Sequence, residues 1–290
     1  MLRALAELAR PRQWPKNGVV LTALIFAGQA THIVQVELAF LAVGIFCLLS
    51  SAVYTLNDLV DREKDRLHPR KKTRPLASGT VTPGTAVIFM VALLVISLGT
   101  AWVINLNLFL CAMAYLILNV LYSFWIKNVV IVDVMSIAMG FVLRAYAGAF
   151  AIDVPASKWL LINALLLAMF LGFGKRRHEL VQLDDTATKH RKILDRYSPY
   201  LLDQLMAVVT PSVVVVYMLY TFSPEVSEKL GTENLFMTIP FVIYGVFRYL
   251  YLIHKEEKGG SPTRILVGDR PILFAVVLWL ATVVGVLYVG

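Results

Sequence analysis

Hydrophobic residues along this chain fall into runs of about 17–25, the length that carries an α-helix across a bilayer, with short polar segments between them. The pattern predicts about nine spans, at roughly 18–33, 36–54, 84–104, 107–125, 129–150, 158–174, 200–222, 235–254 and 271–289. Lipid offers no partner to an open sheet edge, so each span is expected to be helical. The expected fold is all-α, a multi-pass membrane helix bundle forming one domain over residues 1–290. Residues 2–10, L-R-A-L-A-E-L-A-R, read as a short amphipathic helix on the inner membrane surface. The first apolar run lacks a small-residue cleavage site before the next span, so no cleavable signal peptide is expected.

The polar positions divide by side. Arg3, Arg10, Arg12 and Lys16 precede the first span, and Arg62 to Arg74, Lys127, Lys175 to Arg196 and Lys255 to Arg270 fill alternate loops. The opposite loops hold only Lys158 and Lys229, with Glu225, Glu228 and Glu233. By the positive-inside rule, nine spans place the N-terminus and every basic loop in the cytoplasm, as in a cell (inner) membrane protein. Composition agrees, at 58% hydrophobic residues, above the usual share for soluble domains. The net charge of +8 is mostly this topology signal, and no nucleic-acid recognition motif accompanies it. Cys47 and Cys111 fall inside spans and read as apolar packing residues. Trp125, Trp159 and Trp279 read either as interfacial anchors or as contacts between copies in a homo-oligomer.

Candidate chemistry concentrates in the cytoplasmic loops. Residues 57–65 read N-D-L-V-D-R-E-K-D. On a helix, Asp58, Asp61 and Asp65 project from one face with Asn57 at its edge. Like charges on one stripe repel unless a cation lies between them. Oxygen ligands without His or Cys suit a hard ion, here Mg²⁺ carrying a substrate phosphate. A dense cationic run follows at Arg70, Lys71, Lys72 and Arg74, and cations beside metal-holding carboxylates make a diphosphate site.

The next inner loop contains Tyr122 and Lys127, followed by Asp133. Arg144 lies eleven residues beyond Asp133 on the same helical face, about 16 Å further along. A guanidinium at that depth faces a polar cavity or a partner. It therefore reads either as a substrate ligand or as half of a charge pair with Asp133. Gly140 and Gly148 flank it and permit close helix approach. Lys175, Arg176 and Arg177 end a later span, where they either bind lipid headgroups or close over a phosphorylated substrate.

These motifs resemble the UbiA-type intramembrane prenyltransferase superfamily. Asn57, Asp58, Asp61 and Asp65 match N-D-x-x-D-x-x-x-D. His68 and Arg74 to Gly79 match the following segment, and Tyr122, Ser123 and Lys127 match Y-S-x-x-[LI]-K. The resemblance implies a nine-helix bundle with a central cavity open to the cytoplasm. Superfamily enzymes that prenylate aromatic rings carry a second D-x-x-x-D cluster, where this chain has K-R-R-H-E-L. Together with R-P-x-Q-W-x-K-N at Arg10 to Asn17, Gly140 to Ala149, Gly174 to Leu180 and Gly259 to Pro271, this resembles the decaprenyl-phosphate phosphoribosyltransferase branch.

The resemblance implies a Mg²⁺-dependent membrane phosphoribosyltransferase. Its substrates would be 5-phosphoribosyl 1-diphosphate and a polyprenyl phosphate, with diphosphate released, inversion at C1 and a role in cell-wall precursor synthesis. Asp58, Asp61 and Asp65 are the expected catalytic metal ligands, with Asn57 beside them. Lys16, Lys127 and Arg144 are expected at the acceptor phosphate and Arg74, Lys175 and Arg176 at the donor, with Arg70, Tyr122 and Asp133 also lining the site. The alternative enzyme is a polyprenyl diphosphate:aromatic acceptor prenyltransferase of quinone biosynthesis. A lipid transporter would need paired repeats with broken helices, and neither is seen in the sequence.

Overall fold

The computed structural model describes residues 1–67, 71–183, 192–256, 259–260 and 262–288. All regular structure among them is helical, as expected. The main elements are α1 (Leu2–Ala9), α2 (Ile33–Val60), α3 (Pro83–Ile104), α4 (Leu106–Phe124), α5 (Val132–Ala151), α6 (Lys158–Leu183), α7 (Pro199–Thr221), α8 (Ile239–His254) and α9 (Arg270–Tyr288). Eight segments among the described residues, α2 to α9 with α8 extended back to Asn234, are long and apolar enough to cross a membrane.

The first expected span takes another form. Residues Pro11–Leu21 make a 3₁₀-helix and Thr22–Phe26 a single α-helical turn. Pro15 within the run has no amide hydrogen to donate, and Pro11 opens it. The segment nevertheless runs alongside a membrane-length helix. Trp14 bonds Ser51, Asn17 bonds Cys47 and Ser50, and Leu24 packs with Ala39, so the strand of contacts runs antiparallel down α2. Eleven residues at about 2 Å and five at about 1.5 Å give roughly 30 Å, the thickness of a bilayer's hydrocarbon core.

The short helix expected at residues 2–10 forms as α1, and one further expectation changes. The apolar face of α1 packs on protein, with Ala4 and Leu8 buried against Leu76, Val81 and Ala86. The span expected to stop near residue 174 continues as α6 to Leu183, because K-R-R-H-E-L-V-Q-L contains good helix formers and no Gly or Pro to end it. Three helices open on side-chain caps: Thr82 accepts from the Thr85 amide, Asn105 from Leu108 and Ser198 from Leu201.

The chain divides into two compact units. One comprises Met1–Leu24, His32–Trp125 and Leu143–Pro155. Its core joins Ile45, Phe46, Leu49 and Val53 of α2 to Leu108, Ala112 and Tyr115 of α4 and Ala147 of α5. A Cβ at Gly148 would fall 1.9 Å from the Val20 carbonyl oxygen, so only glycine lets α5 approach the 3₁₀ backbone. The other unit comprises Ile25–Thr31, Ile126–Val142 and Ala156–Gly290. There Phe170 and Phe173 of α6, Leu202 and Met206 of α7, and Tyr249, Leu252 and Ile253 of α8 close the core.

Candidate active site

The carboxylate array forms at the end of α2. Asp61 caps that helix, its amide donating to the Asn57 carbonyl at 2.9 Å, and the six-residue helix Arg62–Leu67 carries Asp65 onward. The bend keeps the helical phase: Asp65 donates its amide to Asp61 at 2.8 Å. Asp58 and Asp65 consequently converge, and both reach one nitrogen, Arg74 Nη1, at 3.0 and 2.6 Å. Their side chains are nearly buried, whereas Arg74 is 30% exposed. Lys71 Nζ lies 3.7 Å from the other Asp65 oxygen. Arg10 donates to the same Asp58 oxygen that Arg74 contacts and lies over the Tyr54 ring. Asn57 Oδ1 accepts from Ser123 Oγ of α4, tying the array to the Y-S-x-x-I-K segment.

The donor set is all oxygen and suits a hard divalent ion. In this conformation the carboxylates close on guanidinium groups. Among the described residues, no three Asp, Glu, His or Cys side chains gather around a point where an ion would sit. The locus where positive charge is needed is nonetheless built, since two carboxylates seven residues apart meet at a single nitrogen.

Arg144, in the same unit, is 6% exposed. Its Nε donates to Asn17 Oδ1 and its Nη2 to Tyr115 OH, each at 2.7 Å. Asn17 passes the chain on, donating to Cys47 and Ser50. Lys16 adjoins Asn17 and is half-buried. Asn17 beside Arg144 and Arg10 beside Asp58 both come from the R-P-x-Q-W-x-K-N segment, where they were legible as motif positions but not as site groups. Tyr115 gave no signal, being one more aromatic in an apolar run.

The second unit holds a separate buried cluster. Arg176 Nε donates to Asp133 Oδ2 at 2.8 Å and its Nη1 to Glu179 at 2.9 Å, with Arg176 and Asp133 almost wholly buried. Tyr197 donates to the other Asp133 oxygen at 2.8 Å and accepts the Ile131 amide at 2.6 Å. Burial pushes the Tyr197 phenol well above its ordinary pKa, and the bond to Asp133 adds to the rise, so it stays a proton donor. Ile131 has φ 68°, a left-handed conformation that is costly for a β-branched residue, and the Tyr197 bond holds it there. Lys175 pairs with Glu179 at 3.6 Å, and Lys127 sits in the 3₁₀ turn Ile126–Asn128. Tyr122 is half-buried on α4, in the first unit. Arg70 and His68 lie outside the described residues.

The UbiA prenyltransferase family model matches residues 18–266. The chain belongs to that family. Among curated UbiA relatives, it is 32% identical to the decaprenyl-phosphate phosphoribosyltransferase of Mycolicibacterium smegmatis, covering 99% of this chain and 93% of that one. It is 33% identical to the enzyme of the same name from Mycobacterium tuberculosis, covering 98% and 94%. A UbiA homolog from Archaeoglobus fulgidus solved with GPP and Mg²⁺ superposes with a TM-score of 0.73 at 22% identity, covering 97% of this chain and 98% of that one. The all-helical membrane bundle expected from hydropathy is thus a UbiA fold. The Asn57 to Asp65 segment runs through the end of α2 into the short helix that follows it.

Proposed function

We propose that this chain transfers the 5-phosphoribosyl group of 5-phosphoribosyl 1-diphosphate to a polyprenyl phosphate, releasing diphosphate. The reaction is placed at the cytoplasmic face of the cell membrane, following the distribution of Lys and Arg among the loops. What carries the reading is the convergence of Asp58 and Asp65 on one cation, in a chain that matches named phosphoribosyltransferases along nearly its whole length.

Asn57, Asp58, Asp61 and Asp65 would hold Mg²⁺, which when bound supplies Lewis-acid stabilisation of the leaving diphosphate. Arg74 and Lys71, set beside those carboxylates, are placed to take the donor's phosphate oxygens. Lys16 and Arg144 are assigned to the acceptor phosphate, Arg144 being held in depth by Asn17 and Tyr115. Lys127 is proposed as a further cation for the acceptor phosphate and Lys175 for the donor. Arg176 is assigned a positioning role, since its guanidinium is closed between Asp133 and Glu179. The lipid phosphate is anionic at neutral pH and attacks C1 opposite the leaving group, so inversion follows and no general base is needed. Positioning and charge neutralisation carry the rate.

Purified protein should label polyprenyl phosphate from labelled 5-phosphoribosyl diphosphate, lose that activity in chelator and regain it with Mg²⁺. Labelled lipid product only when prenyl diphosphate and a hydroxybenzoate are supplied would overturn the assignment. Within the same assay, Arg144→Ala should raise the acceptor's KM by about 10- to 100-fold, the worth of one hydrogen bond to a charged group, with a smaller change for the donor. A rise confined to the donor's KM would reverse the allocation of cations.

A further inference from the structure

We propose that Arg10 guards the carboxylate array, holding Asp58 until metal and diphosphate arrive together. The proposal rests on the metal assignment above. Asp58 and Asp65 are met by three cationic side chains, Arg10, Arg74 and Lys71, with Arg10 and Arg74 sharing one Asp58 oxygen. A divalent ion arriving alone meets an array already neutralised and must displace a guanidinium into a surplus of positive charge. An ion arriving with diphosphate brings excess negative charge, and the displaced guanidinium gains a phosphate partner of matching fork geometry. The exchange therefore favours loading ion and donor as one complex.

The position of Arg10 is built into the fold. It turns the chain from α1 into the 3₁₀ run with a left-handed backbone, φ 51°, its amide donating to Glu7 and its carbonyl accepting from Gln13 at 2.8 Å. Ser51 pins both flanks, donating to the Ala9 carbonyl at 2.7 Å and accepting the Trp14 indole at 3.1 Å. Leu8 packs on Leu76, two residues from Arg74, so one small cluster seats both guanidinium-bearing segments. The Tyr54 ring, 5.0 Å from the Arg10 guanidinium carbon, offers a cation–π contact that does not depend on Asp58.

The test is titration of Mn²⁺ into purified full-length protein, followed by electron paramagnetic resonance, with neither substrate present. Arg10→Gln should bind Mn²⁺ about tenfold more tightly than the unaltered protein, roughly one charge-assisted bond's worth of competition removed. Arg10→Lys should fall between the two, retaining the charge without the fork. Arg12→Gln, which removes an exposed charge two residues away, should match the unaltered protein. Adding Asp58→Asn to Arg10→Gln should erase the gain. Equal or weaker Mn²⁺ binding by Arg10→Gln, an equal gain in Arg12→Gln, or a gain that survives Asp58→Asn would each overturn the proposal. Because no substrate is present, a failure of the phosphoribosyl transfer assay leaves this result independent.

Discussion

Asp65→Asn should yield a folded protein whose turnover is lower by about a thousandfold, the scale of losing one preorganised electrostatic group at a reacting centre. Asparagine keeps the shape and leaves Arg74 its second carboxylate, Asp58. Helix content by circular dichroism and elution in detergent should therefore be unchanged, while the rate at saturating Mg²⁺ collapses. Asp61→Asn should behave alike, because Asp61 caps α2 through its backbone rather than its carboxylate. If either variant retained more than about a tenth of the activity, the array would not hold the ion.

Arg176→Ala should act on stability. Its guanidinium and the Asp133 carboxylate are 2% and 0% exposed, and removing Arg176 leaves the Asp133 charge buried without this counterion. The expected loss is about 3–5 kcal/mol, visible as earlier unfolding of helical signal in denaturant. Asp133→Leu combined with Arg176→Leu should recover most of it, since replacing both charges removes the uncompensated one. A single Arg176→Ala that unfolds like the unaltered protein, yet raises only the donor's KM, would make Arg176 a substrate ligand instead.

Hydropathy made the membrane helices legible because span length and burial in lipid leave a direct imprint on composition. The acidic motif was legible because three carboxylates on one helical stripe call for a cation. The 3₁₀ winding of Pro11–Leu21 along α2 was not legible. Arg12 and Lys16 read as the basic flank before the first span and Gln13 and Asn17 as motif positions, whereas Asn17 is 1% exposed and bonded into α2. Polar residues packed on a neighbouring helix look, in sequence, like residues in water. The charged end of α6 misled for the reverse reason: charge ends a membrane span but not a helix. The partners of Asp133 needed the fold itself, since Tyr197 lies 64 residues away and no local spacing announces it.

The stretched winding of Pro11–Leu21 has a dimensional consequence. Each residue there advances the chain by about 2 Å. Arg10 sits at one end of this measured length and the Leu24 contact with Ala39 fixes the other. Shortening the stretch by a single residue would drag the Arg10 guanidinium off Asp58 by more than a hydrogen bond tolerates. The number of residues between those two points is thus as much a component of the active centre as any side chain facing it.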